Sequence, residues 1–502
     1  MNVLTFVLWA FAATLGYAAP TPEDTAVDAD DVVGYAPKFK WRNTISASDP
    51  PKRRRNNGRG TSVGEECGMS PMSASSVSSA PAIMDPQQTN SLRRWSYEVA
   101  SSPALVPDLF SDLPAREKRL LHYWNENLSS LISVTPRRSS PGPFQLHLTS
   151  MLYHSGALRS TVLSMAANHL ALTSSDRSFR IDAYRHQEDA LHLLQNLIQA
   201  PTEQLSMEPA LATVLMMQVS ARLLGDESAE PQVANHLAGA KAMIAKRGGL
   251  AAWRTSSTAQ FLLDLFAYHD ILSSVSRGSR PLVDHSEGFT AIEGAVDMQG
   301  IAEVLRLVAR ISDMQGTAKT TVHNNSNDMP GFARLQTQGL LIKTALEALD
   351  FSEQKYGVEG ATDSMDIRLT AEAYRHAAFI YLYRVWLGFG APNPTTLHHV
   401  QQCIACIQRV NISSPLVSSH IWPLWTAGCE AIDQEQRQFV RERFRDMYRT
   451  RMFASLKRIV RDIEEVWSYK DTENLVSGLD GMAKVDCIQV ILRRCGREVD
   501  LA

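Results

Sequence analysis

Cysteine is scarce in this sequence and is not arranged for cross-linking. The chain of 502 residues carries six cysteines: Cys67, Cys403, Cys406, Cys429, Cys487 and Cys495. Such sparse spacing excludes a disulfide framework and favours a reducing compartment. The single CxxC pair, Cys403 and Cys406, has no second pair at zinc-finger spacing, and a structural zinc needs four ligands. Its apolar helical context predicts buried free thiols.

The sequence also lacks the short motifs that carry most enzyme chemistry. It contains no HExxH, Walker A, GxGxxG or EF-hand pattern. Adjacent acids such as Glu188-Asp189 and Glu464-Glu465 point about 100° apart on a helix, so they indicate solvated faces rather than an acid/base pair. Six histidines lie beside apolar helical faces and are predicted to pack or cap rather than bind metal. They are His122, His147, His154, His169, His236 and His269. No enzyme is predicted, although a large helical bundle can enclose a pocket.

Long apolar runs are missing except at the start of the chain. Residues 1–19 are uncharged and end in small residues, with Gly16 and Ala18 at the −3 and −1 positions of a signal-peptidase site. Taken alone, they predict a secretory signal, which conflicts with the compartment inferred from the cysteines. No other run approaches a membrane span. The net charge of −3 favours neither a nucleic-acid coat nor an acidic solvating protein.

Large apolar groups are few between residues 20 and 110. This stretch is predicted to be a disordered linker, basic and rich in Ser and Pro, because it cannot bury enough surface to offset its ordering entropy. Its positive charge is concentrated at a few positions, which are predicted to serve nuclear import or nucleic-acid contact, with plain solvated charge as the alternative. They are Lys38, Lys40, Lys52, Arg53, Arg54 and Arg55.

Strand alternation longer than four residues is absent from residues 111–502, and helical spacing recurs instead. The fold class predicted is therefore all-α, a large multi-helix domain that follows the N-terminal linker. Residues 208–224 are apolar nearly all round and are expected to form a central helix. A polar loop is predicted at 316–331, and one long charged helix at 434–467.

Residues 236–249, HLAGAKAMIAKRGG, predict an amphipathic helix with a glycine stop. Leu237, Ala240, Met243 and Ile244 share one face. Gly239 leaves a gap where another helix can approach, and the pair at 248–249 supplies the positive φ that ends a helix.

Several short sequence segments within residues 111–502 occur in an order that can be compared with known families. LLHYWNENLSSLI (120–132) comes first, HLAGAKAMIAKRGG (236–249) follows, and AEAYRHAAFIYLYRV (371–385) and IWPLWTAGCEA (421–431) come late. This order of segments, spanning about 115–470, resembles the regulatory domain of fungal zinc binuclear cluster transcription factors. More specifically, it resembles the second type of fungal-specific transcription factor domain. The resemblance implies a helical domain that controls RNA polymerase II transcription in the nucleus. It also implies DNA, co-regulators of the transcription machinery and a small-molecule effector as partners.

The family's DNA-reading module holds two zinc ions with six cysteines, but this chain has no cysteine before Cys67. The zinc therefore belongs to a module that this chain lacks. Residues 33–42 resemble the basic, aromatic tail that follows that module, since Gly34-Tyr35 leads into a run ending at Trp41. Two explanations stay open: a wrongly joined first exon, which would make residues 1–19 an artefact, or genuine loss of the module.

The sequence thus predicts a nuclear transcriptional regulator whose own contact with DNA is weak and sensitive to salt. The alternative is a secreted or endoplasmic-reticulum helical protein of unknown binding function, which residues 1–19 motivate.

Overall fold

The computed structural model of the protein describes residues 112–501, with seven internal gaps of two or more residues. These gaps, with residues 175 and 290, are 136–140, 200–206, 226–235, 286–287, 296–297, 324–328 and 352–361. For 317–323, 329–330 and 362–363 only the helical backbone is described. The signal-like residues 1–19, the linker 20–110 and all six basic residues singled out above lie outside the described part.

The first half of the domain is a succession of helices. The bounds are α1 Ala115–Tyr123, a π-helical turn Trp124–Leu128, α2 Ser129–Ile132, α3 Pro143–His154, α4 Gly156–Thr173, α5 Ser178–Gln199, α6 Met207–Leu224, α7 His236–Lys246, α8 Leu250–Trp253 and α9 Ser257–Arg277.

The second half continues in the same way. Its elements are α10 Gln299–His323, α11 Met329–Glu347, α12 Thr362–Leu387, α13 Pro394–Arg409, a 3₁₀ turn Pro415–His420, α14 Ile421–Cys429, α15 Gln434–Arg451, α16 Ala454–Lys484 and α17 Cys487–Arg494. Within the described ranges no strand forms, and the one β-bridge joins Ile292 and Ala295. The all-α prediction is confirmed. No described helix is long and apolar enough to cross a membrane.

Helix α6 lies at the centre of the domain, as its apolar composition predicts. It packs against α4, α7, α9 and α16. Twelve of its residues are buried, and these include Thr213 and Gln218. Because partners surround it, the helix contributes side chains to the core on every face.

Helix α7 ends as its sequence predicts. Gly248 and Gly249 take positive φ values of 105° and 89°, and the Gly249 N–H donates to the Ile244 carbonyl at 3.0 Å. This closes the helix with a glycine stop. A Cβ added at Gly239 would lie 4.0 Å from Val214 Cγ1 of α6, so α6 approaches this glycine at ordinary van der Waals distance.

Two predicted boundaries are wrong. Helix α10 runs to His323, so half of the loop expected at 316–331 is helical, and α11 already begins at Met329. The charged helix expected over 434–467 is instead two helices, because Met452 takes the left-handed conformation at φ 54°. The second of these, α16, continues to Lys484 with a kink at Gly478. Neither a glycine nor a proline marks Met452, so the break has no local signal in the sequence.

A buried ion cluster joins α12, α14 and α16. Glu430 accepts hydrogen bonds from Arg384 Nη2 at 2.5 Å, from the Ala391 N–H at 2.8 Å and from Lys470 Nζ. Lys470 is completely buried, and Glu430 is 3% exposed. Burial acts to raise the pKa of Glu430, but Arg384 and Lys470 outweigh it and hold that pKa at about 2.

Residues 497–501 run through a cleft between α6, α9 and α16. Arg222 of α6 donates to Glu498 Oε2 at 2.5 Å and to the Val499 carbonyl at 3.1 Å. Arg458 of α16 donates to Asp500 Oδ2 at 2.9 Å. Val499 and Leu501 are each only 1% exposed. The segment is therefore part of the core and is held there by charged hydrogen bonds.

Candidate functional site

A cavity of about 30 Å³ lies where the two halves of the helical domain meet. Its walls come from α2, α3, α6, α9 and α14, from the 3₁₀ turn and from the N-cap of α16. The apolar walls include Ile132, Phe144, Val219, Leu265, Ile421 and Phe453. A space of this size holds one or two molecules the size of water. We call it the central cavity.

Four polar side chains also line the central cavity: Tyr268, His269, Glu293 and Ser418. Ser418 Oγ donates to the Leu131 carbonyl at 3.1 Å and accepts from Arg451 Nε at 2.7 Å. The Tyr268 hydroxyl lies 3.5 Å from that of Tyr374. Nδ1 of His269 is buried and has no hydrogen-bond partner. A buried imidazole nitrogen without a partner is costly, so this position is suited to a bound polar molecule.

Glu293 reaches the cavity from a tight turn, residues 292–295. The Ala295 N–H donates to the Ile292 carbonyl at 2.8 Å, and Glu293 and Gly294 both have positive φ, 51° and 75°. Positive φ at both central residues is the pattern of a type I′ turn, which favours Asn, Asp or Gly. For a glutamate the left-handed conformation costs about 1–2 kcal/mol. Strain of this kind is characteristic of functional sites.

The carboxylate of Glu293 is held by neutral donors. Ser133 Oγ donates to Oε2 at 2.5 Å, the Val134 N–H donates to Oε1 at 3.2 Å, and Thr135 Oγ1 lies 3.3 Å from Oε2. Burial raises the pKa of Glu293 to about 7, although these hydrogen bonds act to lower it. The group therefore changes charge near neutral pH.

Asp264 of α9 supports the same turn from its other side. Its Oδ1 accepts from Gln260 Nε2 at 2.8 Å, and the Gly294 backbone also bonds to it. Burial raises the pKa of Asp264 to about 7, against the lowering effect of these bonds and of Arg254. One strained turn thus contains Glu293 and is bonded to Asp264, and the pKa of each of these acids is about 7. Such clustering is a recognised mark of candidate functional sites.

Four of the six histidines noted in the sequence are buried on helices, whereas His122 is half-buried and His154 is exposed. His169 is hydrogen-bonded between the Tyr123 hydroxyl at 2.7 Å and the Arg451 carbonyl at 2.8 Å. His147 stacks on Phe261 and lies 3.2 Å from Thr258 Oγ1. Among the described residues, no three His, Cys, Asp or Glu side chains are grouped to hold a metal ion.

The cysteines of the CxxC pair are free thiols. Cys403 is fully buried and Cys406 is half-buried. Burial raises the pKa of both thiols, which makes them poor nucleophiles.

The sequence of this helical domain matches a known protein family. A family model described as the fungal specific transcription factor domain matches residues 119–501, which is most of the chain and nearly all of the described body. The chain belongs to this family. The resemblance inferred from the order of the sequence segments is thereby confirmed. No curated protein and no solved structure matches the chain.

Within this fungal specific transcription factor domain, the central cavity is surrounded mostly by apolar side chains. The matched family is one of fungal transcription factors. Sequence reasoning passed over Glu293, Asp264 and Ser418. The one available signal was the Glu-Gly pair at 293–294, which suits a turn but does not reveal that the glutamate is buried.

The titration of Glu293 has a measurable effect on the domain. The folded state holds this proton up to a pKa of about 7, whereas the ordinary value is 4.5, so the folded protein binds more protons between these pH values. Its stabilising contribution is therefore complete below pH 4.5 and is lost as pH rises through 7. We expect Glu293→Gln to gain up to about 3 kcal/mol in unfolding free energy relative to the natural chain between pH 5 and pH 8.

Urea unfolding at several pH values measures this difference. The control is Glu464→Gln, an acid whose side chain is 47% exposed, for which we expect a constant offset. Burial lowers the pKa of His420 to about 3, so this buried histidine destabilises the folded state in acid. It does so equally in the natural chain and in each variant, and the comparison between them therefore isolates Glu293. A pH-independent difference for Glu293→Gln would contradict the assignment.

Proposed function

We propose that this chain is a nuclear regulator of RNA polymerase II transcription whose helical domain receives or relays a signal. The observation that carries the proposal is the family match over residues 119–501. The central cavity supports it, because a regulatory domain needs a place where a small change in charge or occupancy alters packing. The zinc module of such regulators would supply sequence-specific DNA binding, and the chain as written has no six-cysteine set ahead of Gly34.

The basic residues 52–55 would direct nuclear import in this proposal. We expect the full chain, carrying a C-terminal fluorescent tag in a filamentous fungus, to accumulate in the nucleus. Changing Lys52, Arg53, Arg54 and Arg55 to alanine should reduce the nuclear-to-cytoplasmic ratio several-fold, because accessible clustered cations are what import receptors bind. Quantitative fluorescence microscopy measures the ratio.

A matched control changes Arg445 and Arg449, basic and exposed on α15, and should leave the ratio unchanged. Secretion of the tagged chain, or its retention in the endoplasmic reticulum, would contradict the proposal and favour the alternative that residues 1–19 motivate. Tethering the full chain to a heterologous DNA-binding domain completes the test, since a regulator should change reporter output beyond that of the tether alone.

A further inference from the structure

Among the described residues, Glu293 and Asp264 differ from the other buried acids in the charge of their hydrogen-bond partners. Asp270 pairs with Arg277 at 3.6 Å, Asp462 pairs with Arg497 at 2.6 Å, and Glu430 pairs with Arg384 and Lys470. At Glu293 the contacts among the described residues are two hydroxyls and one backbone N–H. An ionised carboxylate that is buried among neutral donors in this way is costly.

The space beside this carboxylate has the dimensions and chemistry of a small-ion site. The central cavity of about 30 Å³ accommodates a body the size of one or two waters. Besides Glu293, its polar lining residues are Tyr268, Ser418 and His269, and the buried Nδ1 of His269 has no hydrogen-bond partner. Most of the remaining wall is apolar, and Phe144 and Phe453 supply aromatic rings.

We propose that the central cavity binds one ammonium ion, with its charge balanced by Glu293 and its N–H bonds donated to Glu293, His269 and the neighbouring hydroxyls. This inference rests on the proposed function, because it names the signal that the regulatory domain would receive. Ammonium has the size of water and donates hydrogen bonds in every direction. An alkali cation of similar size takes a shell of oxygens, which this wall does not provide, whereas aromatic rings tolerate a polyatomic cation.

The other titratable groups that line the cavity keep their charge state near neutral pH, whereas Asp264, which is bonded to the same turn but is not part of the lining, also has a pKa of about 7. Burial raises the pKa of Tyr268 well above its ordinary value and lowers the pKa of His269 to about 3, so both remain neutral. Arg451 stands behind Ser418 as a cation hydrogen-bonded to that hydroxyl and to the Ser414 carbonyl. Glu293 is therefore the lining group that changes charge between pH 6 and pH 8, and ammonium should bind more tightly at the higher pH.

Thermal unfolding of the full chain tests the site. The chain is melted at pH 6 and pH 8 in ammonium, potassium, sodium and tetramethylammonium chlorides at one ionic strength. At ammonium concentrations tenfold above Kd, we expect Tm at pH 8 to rise by about 2 °C over the other three salts. The rise should be smaller at pH 6. Tetramethylammonium separates charge from hydrogen bonding, because it carries the charge without N–H donors.

Two variants and one control make the result specific. Glu293→Gln removes the balancing charge, and Val219→Leu fills the cavity without changing any charge, so each should abolish the ammonium response. Glu188→Gln removes an acid whose side chain is 76% exposed and should keep the response. Equal Tm values in all four salts, or an ammonium response that survives in Glu293→Gln, would overturn the proposal. So would occupation of the cavity by water alone in a crystal grown in ammonium chloride at pH 8.

The two proposals fail in different experiments. The melting measurement uses purified protein without DNA or nuclear factors, so its failure removes the ammonium site and leaves the regulator standing. A tagged chain that is secreted removes the regulator while the ammonium response of the purified protein persists.

Discussion

Replacing Glu430 with alanine should lower the unfolding free energy of the domain by about 3–5 kcal/mol, among the largest effects expected of any single substitution in it. Removal of this carboxylate leaves Arg384 and Lys470 facing each other without an anion. Lys470 is completely buried, so solvent cannot replace the missing charge. The Ala391 N–H loses its acceptor as well. Urea unfolding followed by circular dichroism measures the change.

A double variant distinguishes the lost pairing from simple loss of packing. Glu430→Gln combined with Lys470→Met removes an anion and a cation together, so it should be less destabilising than the sum of the two single changes, by about 1–3 kcal/mol of coupling. Glu464→Ala removes an acid from an exposed pair with Arg441 and should cost less than about 1 kcal/mol. Strict additivity at positions 430 and 470 would show that the cluster does not act as a unit.

Arg222→Ala should release residues 497–501 and destabilise the domain by about 3 kcal/mol. The arginine bonds Glu498 and the Val499 carbonyl, and its side chain is 14% exposed, so water compensates only part of the loss. Without it, Glu498 and Asp500 lie close together with Arg458 as their remaining cation. Hydrogen exchange should show faster exchange at residues 497–501 and at the facing turns of α6 and α16.

Arg445→Ala provides the matched comparison for Arg222, because Arg445 lies exposed on α15. We expect it to change stability by less than about 0.5 kcal/mol and to leave exchange at 497–501 unchanged. If both variants speed exchange at that segment equally, its anchoring by Arg222 is refuted.

The helical architecture is readable in the sequence because it depends on local periodicity. Composition alone predicts helix α6 as central, and the pair at 248–249 predicts the glycine stop after α7. Both features are set within one or two helical turns. The break at Met452 escapes prediction because a methionine carries no local sequence signal for the left-handed conformation that it takes here.

The central cavity could not be predicted, because its polar groups come from distant parts of the chain. Glu293 contacts Ser133, Ser418 belongs to the 3₁₀ turn, and His269 is one of the many buried residues of α9. Sequence alone ranks the histidine as packing and gives no reason to consider the glutamate. The candidate basic residues, by contrast, are visible as a charge run but lie outside the described part of the chain, and their role stays a prediction.

The contact between Ser133 and Glu293 spans 160 residues, and that between Arg222 and Glu498 spans 276. A ribosome must therefore deliver almost the whole domain before its last stabilising bonds can form. Helix α6 can pack against α4, α7 and α9 earlier, whereas its contact with α16 must wait for that later segment. We expect the final packing of the domain to be slow relative to the formation of its helices, because contacts of such long sequence separation form late.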